Sequence, residues 1–76
     1  MDDIFTQRFN LALSQSLITQ TQLAHQIDVC KQCISEYKKG KSFPSIQTLR
    51  LICEALEVSA DYLLGLENED GSKKYR

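Results

Sequence analysis

The stretch "TQTQLAHQIDVCKQCISEYKKGKS", residues 19–42, decides how this chain is read. Its apolar residues recur at three- and four-residue spacings, Leu23, Ala24 and Ile27 first and Ile34 and Tyr37 later, which is helical periodicity. Asp28-Val29 interrupts the pattern as a tight connection. Thr19 is a good N-cap for the first of these two helices. The second runs over Cys30 to Lys38 and ends at Lys39-Gly40-Lys41, where Gly40 supplies the left-handed residue that commonly closes a helix. Helices of two turns are not stable alone, so the rest of the chain has to present them.

Working outward, Phe5, Phe9, Ala12 and Ser16 share one face of a helix that starts near Asp2 or Asp3, whose carboxylates suit a positive helix N-terminus. On the other side, Phe43-Pro44 is a loop. Ser45 caps a fourth helix with the apolar stripe Ile46, Leu49, Ile52, Cys53 and Leu56, and Ser59 caps a short fifth, "SADYLLG", stopped by Gly65. No stretch alternates as a half-buried strand would, and the expected class is all-α: one compact five-helix domain over residues 1–66. The remaining "ENEDGSKKYR", 67–76, is polar and aperiodic and is expected to be a disordered tail.

With 76 residues and 42% hydrophobic content, the chain can build one small core and not two. The acidic start "MDDIFTQRF" lacks a signal peptide's basic region and apolar stretch, and no apolar run approaches the roughly 20 residues of a membrane span. A cytoplasmic protein, in the bacterial cytosol or nucleoid, is expected. The net charge of −1 hides an uneven distribution. Residues 19–50 carry Lys31, Lys38, Lys39, Lys41 and Arg50 against Asp28 and Glu36, a net +3, while residues 51–76 carry six acids against three cations, a net −3. The middle of the chain is its basic part, the place for a polyanionic partner.

Two short helices followed by a basic loop are the arrangement of a helix-turn-helix. More specifically, the chain resembles the Cro and lambda-repressor type of helix-turn-helix family over roughly residues 5–65. The family's slots are filled by Thr19, Gln20, Leu23, Ala24, Ile27 and Val29, then Ile34, Ser35, Tyr37 and Gly40, then Pro44, Ser45 and Leu49, and finally Leu56, Val58, Ser59, Asp61, Tyr62, Leu63 and Leu64. The resemblance implies a sequence-specific double-stranded DNA binding protein, a bacterial or phage transcriptional regulator of repressor type. It implies major-groove reading by the third helix. One such unit offers few base contacts, so a homodimer on a palindromic operator is expected. Tyr62, Leu63, Leu64 and Leu66 are the expected dimer surface, or else part of the monomer core. A restriction-modification controller or an antitoxin would share this fold, and a protein-interaction module that has lost DNA binding is the rival from another class.

If Ile34 and Tyr37 face the core, a rotation of about 100° per residue turns Lys31, Gln32, Ser35 and Glu36 outward. Lys31 and Gln32, nearest the helix start, are the leading base readers: lysine donates to guanine O6 and N7, glutamine bonds adenine at N6 and N7. Ser35 and Cys33 are counted with them. Glu36 either accepts from a cytosine amine or discourages wrong partners by repelling phosphate. Phosphate contacts are assigned to Thr19 and Gln20 at the start of the second helix, and to Lys38, Lys39, Gly40, Lys41 and Ser42 at the end of the third.

Cys30-Lys31-Gln32-Cys33 is a C-x-x-C. A zinc site needs four ligands, and the only set, His25, Cys30, Cys33 and Cys53, spends a cysteine of the fourth helix's apolar stripe. A thioredoxin-like motif needs a strand that this chain does not supply. Two readings stay open: sulfurs standing in for the family's usual serine and threonine, Cys30 being the poorer cap, or an i, i+3 pair able to form a strained bridge. No cofactor, metal or small-molecule effector is expected. His25 reads as a surface residue beside Gln22 and Gln26. Leu11 and Leu13, where the family usually has charge, lie near a partner or are isolated exposed leucines. The chain offers no paired carboxylates, no nucleophile-base set and no phosphate loop, so an enzyme is not expected.

Overall fold

A computed structural model describes residues 3–66, and the expected tail at 67–76 lies outside them. Among the described residues there are five helices and no strand: α1 (Ile4–Gln15), α2 (Gln20–Ile27), α3 (Lys31–Lys39), α4 (Ile46–Leu56) and α5 (Ala60–Leu64). The chain thus has the all-α, five-helix architecture that its periodicity predicts.

Four of the five helices start on an oxygen-bearing side chain. Asp3, Thr19, Ser45 and Ser59 each accept from the backbone N–H three residues on, satisfying one of the donors that a helix start leaves unpaired. Four of the five also end on a left-handed residue: Asp28, Gly40, Glu57 and Gly65. Gly65 is there for space as well as for its φ of 82°, since a Cβ would lie 2.9 Å from the Ile4 side chain.

Phe9, Leu23, Ile34, Ile52 and Leu63, one from each helix, are fully buried and form the centre of the core. Phe9 stacks on Phe5 at 5.6 Å between centroids and meets the Tyr37 ring edge-on at 6.1 Å, so α1 carries α3 on an aromatic joint. α2 lies between α3 and α4, and α1 also packs on α5.

Four expectations need correction. Leu13 is buried, because it lies only about 40° around α1 from Phe9, whereas Leu11 lies on the far side and is exposed. Ser16 does not extend the buried stripe but follows the helix as its C-cap, its hydroxyl accepting from the Ile18 N–H. Ile46 is 88% exposed, since it opens α4 about 120° around from Ile52. Leu63 is fully buried and closes the monomer core, so it cannot line an outer surface, whereas Leu64 and Leu66 are exposed and Tyr62 is half-buried.

Candidate nucleic-acid interface

The α2–α3 pair is held from within by Leu23, Ala24, Ile27, Ile34 and Tyr37, and its outer side is polar. α2 opens with a reciprocal capping box. The Thr19 hydroxyl accepts from the Gln22 N–H at 3.1 Å, and the Gln22 side chain accepts from the Thr19 N–H at 2.9 Å. That leaves the N–H groups of Gln20 and Thr21 aligned along the helix axis, the geometry suited to an anion. Asp28 then turns the chain with φ 61°, its N–H donating to the Ala24 and His25 carbonyls. A short polar side chain tolerates this left-handed conformation better than most.

On α3, Lys31 and Gln32 are exposed, Ser35 and Glu36 half-exposed, and Cys33 half-buried against the core. Two bonds made by its own side chains tie this helix to its surroundings. Lys38 Nζ donates to Gln20 Oε1 at 3.2 Å, joining the end of α3 to the start of α2, and the Ser42 hydroxyl donates to Glu36 Oε1 at 3.2 Å, folding the following loop back on α3. Lys38 and Gln20, expected as separate phosphate contacts, are therefore neighbours. Glu36 is held by Ser42 rather than projecting alone. Lys39 and Lys41 are exposed on either side of Gly40, whose φ of 77° ends the helix while the Lys41 N–H donates to the Glu36 carbonyl at 3.0 Å.

Three supporting residues escaped the sequence reading. Asn10 donates through Nδ2 to the carbonyls of Thr6 at 2.8 Å and Lys38 at 2.9 Å, fastening α1 to the last turn of α3. Thr6 is buried with its hydroxyl donating to Asp3 at 2.9 Å, and it crowds the backbone at Gly40, where a Cβ would meet its Oγ1 at 3.2 Å. Arg8 is only 6% exposed: its guanidinium donates to the Tyr62 carbonyl at 2.8 Å and lies 4.7 Å above that ring. The one local signal for Arg8 is its place three residues after Phe5 and four before Ala12. The Asn10 contact with Lys38 and the Thr6 contact with Gly40 join segments far apart in sequence.

Among the described helices, α3 is the one whose N-cap side chain accepts no bond from a backbone N–H. Cys30 Sγ lies 3.5 Å from Cys33 Sγ, and all three cysteines are thiols. The Cys33 N–H at the start of α3, followed by the adjacent Cys33 thiol, favours the Cys30 thiolate without a capping bond to the sulfur, and together they hold that thiol below the ordinary cysteine value. The same sulfur contact, with burial, pushes the Cys33 thiol up. Among the described residues no three of His, Cys, Asp and Glu gather as a metal site, and no helix is long and apolar enough to cross a membrane.

Residues 6–69 match the helix-turn-helix domain family. The chain belongs to the helix-turn-helix family. Among its relatives, the HTH-type transcriptional regulator for conjugative element R391 of Providencia rettgeri is 39% identical over 66 residues, 87% of this chain and 30% of that protein. The HTH-type transcriptional activator BcrR of Enterococcus faecalis is 32% identical over 63 residues, 83% of this chain and 31% of that protein. The chain thus spans about a third of the length of these curated relatives. Among solved structures, the P22 c2 repressor in complex with a synthetic operator superposes with a TM-score of 0.75 at 25% identity, covering 83% of this chain and 96% of that one. This helix-turn-helix domain therefore has the fold of phage repressor DNA-binding domains.

Proposed function

We propose that this domain binds double-stranded DNA sequence-specifically and regulates transcription, with α3 in the major groove. The observation that carries the reading is the outer face of the α2–α3 pair. Lys31 and Gln32 stand exposed at the start of α3, and the linked Gln20 and Lys38, with Lys39 and Lys41 beyond, lie where phosphates flank a reading helix. Gln32 and Lys31 read bases, with Ser35, Cys33 and Glu36 beside them. The α2 start at Thr19 and Gln20, and the segment Lys38, Lys39, Gly40, Lys41 and Ser42, position the helix on the backbone. The fold shared with a repressor solved on an operator supports this use of the surface. The domain acts as a homodimer on a palindromic operator, with Tyr62, Leu64 and Leu66 facing the partner.

The test is selection of a palindromic duplex from random sequence, followed by binding over a salt series. Gln32→Ala relaxes base preference at defined positions, while Lys41→Ala weakens binding to all sequences and lowers the slope of log affinity against log salt by about 0.9. Enrichment of no sequence, with only loose salt-sensitive binding, would overturn the reading.

A further inference from the structure

We propose that Cys30 and Cys33 are a dithiol oxidation site at the start of α3, and that closing it to a disulfide lowers the affinity of the domain for DNA. The coupling to DNA rests on the reading of α3 given above, whereas the thiol chemistry does not. The observations are geometric. The two sulfurs are 3.5 Å apart, against about 2.0 Å in a disulfide, and they belong to a turn that needs no refolding to bring them together. Cys30 is exposed and occupies the N-cap, where sulfur makes no capping bond that oxidation would have to break. Cys33 is half-buried one helical turn away, its backbone N–H donating to the Cys30 carbonyl at 3.0 Å.

The pair divides the chemistry. Cys30, the more accessible thiol and the one held toward the thiolate, attacks a hydroperoxide. An S–O bond forms, the O–O bond breaks, and the departing oxygen leaves as an alcohol, or as water from hydrogen peroxide. The Cys33 sulfur then attacks the Cys30 sulfenic acid: the S–S bond forms, the S–O bond breaks, and hydroxide leaves with the Cys33 proton as a second water. Two thiols are oxidised and one peroxide is reduced. Cys53, half-buried with its thiol pushed up by burial, is the poor competitor.

Closure shortens the sulfur separation by about 1.5 Å. Because the first turn of α3 is already hydrogen-bonded, the change is taken up by the Cys33 side chain leaving the core or by the turn itself. Lys31 and Gln32 lie inside the loop so closed. A dimension change within the segment that reads bases costs the contacts of that segment.

The experiment treats the protein with hydrogen peroxide and reads two things. Trypsin cuts after Lys31, so a non-reducing digest holds the Phe9–Lys31 and Gln32–Lys38 peptides together only through a Cys30–Cys33 disulfide, and dithiothreitol separates them. Affinity for the selected duplex, measured before and after peroxide within each variant, falls about tenfold, the loss of one good base contact, and returns with dithiothreitol. That ratio collapses to one in Cys30→Ser and in Cys33→Ser and persists in Cys53→Ser. Absence of the linked peptides, or an equal peroxide effect in all three variants, overturns the proposal. A reduced protein that selects no sequence overturns the DNA reading and the coupling, while the linked peptides still register the thiol pair.

Discussion

The two helices of the motif begin in opposite ways. At α2, Thr19 and Gln22 close the first turn with two reciprocal hydrogen bonds, whereas at α3 the cap position holds a sulfur that bonds no backbone N–H. Both helices are short, and both hang on the same core through Leu23 and Ile34. The difference teaches that the start of α3 is kept in place by packing from behind rather than by its own cap. It is also the one helix start able to change its covalent state.

The largest expected effect comes from removing what the two helices share. Ile34→Ala empties a fully buried position and costs about 2–5 kcal/mol in urea unfolding, with helicity lost across the domain and not in α3 alone. A cost below about 1 kcal/mol would mean that α3 does not depend on the core in this way. The caps come next and should move in opposite directions. Thr19→Ala loses the capping box and about 1 kcal/mol, while Cys30→Ser supplies an oxygen at the uncapped start and gains a few tenths to about 1 kcal/mol. Equal losses from both substitutions would erase the contrast between the two helix starts.

The smallest effect concerns the opposite end of α3. The Thr6 N–H directed at Asp3 is the main cause holding that carboxyl below its ordinary value, and Thr6 also lies against Gly40. A carboxylate with a lowered value in the folded protein contributes stability above the unfolded value, and the contribution is lost as pH falls through the lowered one. The urea midpoint of the natural protein should therefore fall more between about pH 7 and about pH 3 than that of Asp3→Asn. Parallel curves would remove Asp3 from the account.

Most of the scaffold was legible because its signals are local. Thr19, Ser45 and Ser59 announce helix starts within three residues, and Gly40 and Gly65 announce ends. The spacing of Leu23, Ala24 and Ile27 needs only one turn to be read. Legibility failed at the edges of faces. Leu13 and Leu63 looked like candidates for an outer surface and proved to be core, while Ile46 looked like core and stands in solvent. Of the candidate site, the outward face of α3 followed from the positions of Ile34 and Tyr37. The contacts of Gln20 with Lys38 and of Glu36 with Ser42 did not, because composition and periodicity carry no record of which polar side chains will be adjacent.

By itself the sequence determined that the chain is helical, where its helices start and stop, and that the motif at residues 19–42 belongs to a known pattern, since each of these depends on dihedral preferences and hydrogen bonds within about one turn. Tertiary packing decided the rest: which leucines are enclosed, that Asn10 of α1 fastens the last turn of α3, that Arg8 is satisfied by Tyr62 from across the domain, and which polar partners meet on the outer face. The two sulfurs, three residues apart in the sequence, meet at 3.5 Å within one helical turn, with Cys33 half-buried and Cys30 exposed. The spacing makes that meeting possible, and the packing of Ile34 and Tyr37 sets the orientation in which it occurs.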